Sequence, residues 1–321
     1  AIRFAAAPLP AQTAEDFIAS AKAKSASRDK FGAIAELDRA IALMPDLASA
    51  FFQRAKARLA AINTSDLTTV DEPPPPVDNK TLFDGAMSDL GRAIALNPDF
   101  AEAYKTRADA RSNMAANLAG RNDREDVMAD YSSAIRAKPG YFEAYYARAM
   151  MRGSSGDQPG SKADIEQAIA INPDYIPALE MRASARRDER NFAGAIDDLD
   201  RAIAVTPPED PPTEAQFKAR MPYSPTPGQS ELAGLFTLRA AIKRQNDAIE
   251  GALADLDQAM TIDPRNGYNY ISRAVISQEK GDLVGAVADY ATFKELTGDH
   301  AGTHAKVVIE SSSGGKTSSG Q

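Results

Sequence analysis

The chain contains no cysteine, which excludes disulfides, thiolate metal sites and a cysteine nucleophile and leaves the compartment open. Histidine is almost as scarce. His300 and His304 stand four apart, but no glutamate follows His300 and Gly302 weakens a helix there, so the pair does not make a zinc site. There is no glycine-rich phosphate loop and no nucleophile elbow. Asp197 and Asp198 are adjacent, and neighbours on a helix point in different directions, so they are no acid/base pair. With no catalytic constellation and no metal ligands, no enzyme activity and no cofactor are expected.

Long apolar runs are missing too. None approaches the roughly 18 residues of a membrane span, and no intact signal peptide is present. The Ala/Pro-rich start, Ala1 to Gln12, reads as a mature end left by signal cleavage, which favours an exported or periplasmic protein over a cytoplasmic one. A domain cut from a longer protein and an expression boundary are the alternatives. The balance of 37 basic to 45 acidic residues, a net charge of −8, argues against a general binder of nucleic acid or of anionic membranes, and mildly favours a basic or neutral partner.

What the chain does have is a period. Ile176 to Pro207 carries small residues at Ala183, Ala195 and Ala202 and larger apolar ones at Leu179, Ile196 and Leu199, with a polar turn at Asp188 to Asn191: two amphipathic helices and a short connection. The unit closes on Pro207, and the two before it close on Pro173 and Pro139, two successive steps of 34 residues. That ruler finds seven units, beginning at Ala14, Ala48, Ala101, Phe142, Ile176, Ala233 and Gly267. Each first helix places a bulky residue four along, Phe17, Phe51, Tyr104, Tyr145, Leu179, Phe236 and Tyr270. A small one follows four places later, at Ala21, Ala55, Ala108, Ala149, Ala183, Ala240 and Ala274.

On these residues the chain resembles the tetratricopeptide-repeat (TPR) family over nearly its whole length, residues 14–298. The resemblance implies an all-α fold, an α-solenoid in which helix-turn-helix units stack as a right-handed superhelix with a concave groove lined by the first helices. The signature residues belong to core packing. Residues 1–13 read as an extension, and insertions are expected at 63–80, within the second unit, and 208–232, between the fifth and sixth. Gly153 to Gly156 is expected to shorten the first helix of the fourth unit. A short helix over Ala301 to Glu310 and a disordered Ser/Gly tail complete the reading.

Two charged rows recur. Arginine precedes the small residue in six units, at Arg54, Arg107, Arg148, Arg182, Arg239 and Arg273, and an acid precedes the bulky residue of every second helix, at Glu36, Asp89, Asp130, Asp164, Asp198, Asp255 and Asp289. Structural pairing of the rows is preferred over an anion receptor. Pairing each acid with the arginine of the following unit explains why the first unit has Ser20 in place of arginine. Pairing within a unit also satisfies six arginines, and leaves Glu36 alone.

In the family, residues one and four places after the start of each first helix, and further turns along that face, line the groove. Carried over, these positions include Glu15, Ile18 and Lys22 in the first unit. The partner-binding candidates drawn from this face are Phe52, Lys56, Lys105, Asp109, Tyr146, Met150, Arg187, Arg244, Tyr268 and Ile271, with aromatic and apolar members as anchors for a peptide or helix. Asp109 stands where the family's carboxylate clamps carry asparagine, which speaks against chaperone-tail binding. The functional expectation is a non-enzymatic scaffold that binds a protein or peptide. The alternatives are the substrate-selecting part of a larger enzyme and an array that associates with itself.

Overall fold

The computed structural model describes residues 12–62, 78–114, 124–207 and 226–297. The described residues form α-helices only, fourteen of them, in antiparallel pairs. They divide into two compact units, Ala1–Ile171 and Asn172–Gln321. The first unit holds four pairs: α1 (Ala14–Ala26) with α2 (Lys30–Leu43), α3 (Ala48–Ala61) with α4 (Asn79–Leu96), α5 (Ala101–Met114) with α6 (Arg124–Ala137), and α7 (Phe142–Ser154) with α8 (Gln158–Ile171). The second holds three: α9 (Ile176–Asp188) with α10 (Phe192–Val205), α11 (Pro227–Gln245) with α12 (Ile249–Ile262), and α13 (Gly267–Glu279) with α14 (Leu283–Thr297).

Alanine sets the spacing. Ala21, Ala33 and Ala57 close on Leu37 in one cluster, and Ala55, Ala86, Ala93 and Ala103 close on Phe51, Phe52 and Leu90 in the next. Small side chains let helix axes approach, and the larger ones interdigitate between them, so the bulky second-helix residues Leu37, Leu90, Leu199 and Leu256 are at most 1% exposed. In the second unit, Ala240, Ala252 and Ile276 enclose Leu256 in the same way.

The turns are built from a left-handed residue followed by a side-chain cap. Arg28, Gly156, Arg190, Asp247 and Gly281 take positive φ, and the next residue is Asp29, Asp157, Asn191, Ala248 or Asp282. Asp29, Asp157, Asn191 and Asp282 each accept a hydrogen bond from the backbone N–H three residues on, at Gly32, Gly160, Gly194 and Gly285. Glycine leaves the cap room: with the cap in place a Cβ at Gly32 would sit 2.0 Å from an Asp29 carboxylate oxygen, so a larger residue would make that side chain shift.

Three expected boundaries change. α4 starts at Asn79 because Asp78 caps it, accepting from Thr81 N–H at 2.8 Å, so the second unit's helix takes the last two residues of the expected insertion. α11 starts at Pro227, six residues before Ala233, because Thr226 and Gln229 form a reciprocal capping box and proline suits the first turn. α7 is not shortened. It runs through Gly153 to Ser154, 13 residues like α1, α9 and α13, and the chain reverses at Gly156. Residues 63–77 and 208–225 of the two insertions, the segment 299–321 and both histidines lie outside the described residues.

Candidate partner-binding site

The charged rows are part of the scaffold. Arg54 donates Nε and Nη2 to Asp89 at 2.9 and 2.6 Å, and the same two-pronged contact joins Arg107 to Asp130, Arg148 to Asp164, Arg239 to Asp255 and Arg273 to Asp289. Arg182 meets Asp198 likewise. Every one of these pairs lies within one helix pair. The expected register, acid to following arginine, is therefore corrected, and Asp289 is not left alone.

A second cation, four residues after the arginine, joins the acid in five of the six pairs; after Arg273 that place is Ser277. Arg58, Arg111, Arg152, Arg186 and Lys243 each approach the acid already held by the first, at 2.6 to 2.9 Å. In the first pair Ser20 stands in the arginine's place, yet Lys24 occupies the second position and donates to Glu36 at 2.8 Å, so Glu36 is not alone either. That hydrogen bond holds the Glu36 carboxyl below its ordinary value. The guanidinium groups of Arg54, Arg107, Arg148 and Arg239 also lie 5.2 to 5.8 Å from the ring of the bulky residue three before each. Hydrogen bonding to their acids raises the pKa of Arg107, Arg239 and Arg273 still further.

The third prong reaches the preceding pair. Arg54 Nη1 donates to Asp38 at 2.6 Å, Arg239 to Asp200, Arg273 to Asp257 and Arg148 to the Ser132 hydroxyl. The acceptor stands two residues after the buried acid each time. At that place between the second and third pairs the chain has Gly91, with open space where its Cβ would be.

The first-helix face is what the scaffold leaves over, and most of the candidates on it are already engaged. Phe52 is 8% exposed and packs its ring 4.8 Å from Phe100, so it serves the core. Lys56 holds its ammonium 5.6 Å above the Phe52 ring. Lys105 pairs with Asp109 at 2.7 Å, and Asp109 also accepts from the Tyr131 hydroxyl; burial first, and that carboxylate second, push the Tyr131 pKa up. Arg244 pairs with Glu279, and Arg187 with its neighbour Asp188. Ile271 packs on Ala274, Ala286 and Tyr290. Tyr146 is half-buried. Two anchors remain largely outward: Met150, 52% exposed, in the first unit and, in the second, Tyr268, 71% exposed with its ring 6.3 Å from that of Phe293. Exposure of side chains this large is the kind of feature that marks an interaction surface.

One concavity opens on the same face of the first unit, a cavity of about 300 Å³ between α1 and α3. Ile18, Ala21, Lys22 and Ser25 line it from α1, Gln53, Lys56, Ala57 and Ala60 from α3, and Leu37 of α2 forms its floor. Ser25 accounts for the space: one period later the same position is Leu59, which packs into the clusters of the following pair. Lys22 and Lys56 are themselves one period apart and hold corresponding places on the rim. The groove positions named Ile18, Lys22 and Lys56, but not Ser25, Gln53, Ala57 or Ala60. The available signal was the run of small residues on two successive first helices.

Among the described residues no three His, Asp or Glu side chains cluster in a way that would hold a metal ion, and no helix is long and apolar enough to cross a membrane.

No protein-family model matches the chain, and no curated protein matches its sequence. Solved structures do match. Pseudomonas aeruginosa pilF aligns with a TM-score of 0.55 at 11% identity, over 78% of this chain and 92% of that one. A tetratricopeptide-repeat protein of Parabacteroides merdae aligns at 0.52 and 14% identity, over 94% and 97%. YrrB, a TPR protein described as having an unusual peptide-binding site, aligns at 0.50 and 14% identity, over 70% and 97%. At these identities the likeness is one of fold, and that fold is the all-α TPR solenoid.

Proposed function

We propose that this TPR solenoid is a non-enzymatic scaffold that binds a peptide or a partner helix along the face of its first helices. The observation that carries the reading is the exposure of Met150 and Tyr268 on that face. The recurrent arginines and acids neutralise one another inside the helix pairs, so they are not available as a receptor. The likeness to YrrB supports the same class of activity. The test is panning of a random peptide library on the full chain, followed by binding of the selected peptides to Met150→Glu and Tyr268→Ala. Loss of binding to one or both variants is expected. Peptides that bind all three proteins equally, and lose binding when Asp84 and Glu125 on the second helices are replaced, would overturn it.

Self-association is a second reading, favoured by one observation. The last described helix, α14, exposes Leu283, Val284 and Val287, at 40, 84 and 44%. At the places of Leu283 and Val287, α12 carries Ile249 and Leu253, which pack in the cluster that includes Ile276 of α13. Light scattering of the wild-type chain and Val284→Lys over a range of concentrations tests it: a concentration-dependent mass abolished by the substitution supports association through α14, and a monomer throughout sinks it.

A further inference from the structure

We infer that the cavity between α1 and α3 selects acidic peptides, taking one apolar side chain into its interior while an aspartate or glutamate beside that residue lies between Lys22 and Lys56. This rests on the peptide-binding reading and gives it a chemistry, one that the net charge of −8 does not suggest.

The interior is mostly apolar, with Ser25 and Gln53 as its neutral polar members. Ile18, Ala21, Ala57, Ala60 and the buried Leu37 supply its walls, so an aliphatic side chain gains by leaving water there. At about 300 Å³ the space stands at the lower limit of ligand pockets, which run from roughly 300 to 1,000 Å³. That suits a side chain with its backbone above it, and is small for a cofactor.

The rim is cationic without a counter-charge. No acid lines the cavity. Lys22 is exposed, and no acid stands three or four residues from it or from Lys56 along α1 or α3. The other nearby cations are spent: Lys24 on Glu36, Arg54 on Asp38 and Asp89, and Arg58 on Asp89. Lys56 leans on the Phe52 ring, a contact that leaves its charge unneutralised. Screening weakens exposed charges more than about 8 Å away at physiological ionic strength, so the two unpaired lysines weigh more at the rim than the chain's overall net charge does.

The experiment uses a random peptide library joined to its carrier through the C-terminus, so that every carboxylate comes from aspartate or glutamate side chains. The full chain and three variants are panned, Lys22→Gln/Lys56→Gln, Ser25→Leu and Met150→Glu, each checked for unchanged helicity. Wild type is expected to enrich peptides in which an aliphatic residue adjoins an acidic one, with affinity falling about tenfold in the double lysine variant, the effect of two exposed pairs. Ser25→Leu, which puts at the cavity the residue found one period later, is expected to lose the aliphatic preference and bind about tenfold more weakly. Enriched peptides without excess acid, or with affinity indifferent to both variants while sensitive to Met150→Glu, overturn the inference and leave the peptide-binding reading standing. A library from which nothing is enriched overturns both.

Discussion

Arg54 and Asp89 lie 35 residues apart in sequence and form a two-pronged ion pair inside one helix pair, with the third guanidinium nitrogen bound to Asp38 of the pair before. The acid's side chain is 4% exposed and the arginine's 16%. One residue thus fixes the angle within a repeat and the stacking of successive repeats, and it cannot do either while also receiving a ligand.

Arg54→Ala is therefore expected to cost about 3 kcal/mol, toward the lower end for a broken buried pair because Arg58 still reaches Asp89. Arg54→Lys should recover only part of that, since an ammonium cannot reproduce the parallel contacts. Lys80→Ala, which removes an exposed pair with Asp84, should cost no more than about 0.5 kcal/mol. Urea midpoints followed by circular dichroism compare the three, and equal losses for Arg54→Ala and Lys80→Ala would contradict the buried role.

Gly91 is the missing acceptor of the ladder, and restoring it should stabilise the chain. By helix propensity alone Gly91→Ala should be the better change, exceeding Gly91→Asp by about 0.5 kcal/mol. With Arg107 Nη1 to bind, Gly91→Asp is expected to equal or exceed Gly91→Ala. The advantage should vanish in an Arg107→Gln background, measured as a double-mutant cycle. An aspartate that remains worse than alanine with Arg107 present would show that the third prong does not matter at this junction.

Acid should weaken the first helix pair through Glu36. Its carboxyl is held below the ordinary 4.5 by the hydrogen bond from Lys24. A depressed folded-state pKa contributes stability that is complete above that ordinary value, and is lost as pH falls from there through the folded value. Lys24→Met should move the Glu36 titration, followed by carboxyl NMR, back upward, and should lower stability near pH 7 more than near pH 3. An unchanged titration would mean that Lys24 does not hold the acid.

Much of this architecture was legible in the sequence. Ala48, Ala101, Phe142, Ile176 and Gly267 begin helices where the period places them, because each repeat spends its small residues on the same close approaches. The register of the ion pairs was less legible. An acid lies 16 residues after its own arginine in uninterrupted units and 18 before the next, and spacing alone does not separate the two. The second cation, at Arg58 or Lys24, is a further sign of the register, though Arg273 pairs within its own unit without one. α11 begins early because the capping box at Thr226 and Gln229 recruits six residues the period does not require. Of the candidate face, Met150 and Tyr268 stay outward, whereas Phe52 turns out to be core because Phe100, in the following loop, covers it. Of the cavity only the run of small residues on two successive first helices was legible, and it does not locate the void, because Ser25 and Leu59 both fit a helix and differ only in volume.

The central claim is that partners meet the first helices and not the second. Photo-crosslinking of a library-selected peptide to the full chain, with p-benzoylphenylalanine placed singly at Lys56, Met150, Tyr268, Glu125 or Glu250, tests it most directly. The account predicts adducts from one or more of Lys56, Met150 and Tyr268 and none from Glu125 or Glu250 on the second helices. Adducts from Glu125 or Glu250 alone would contradict it.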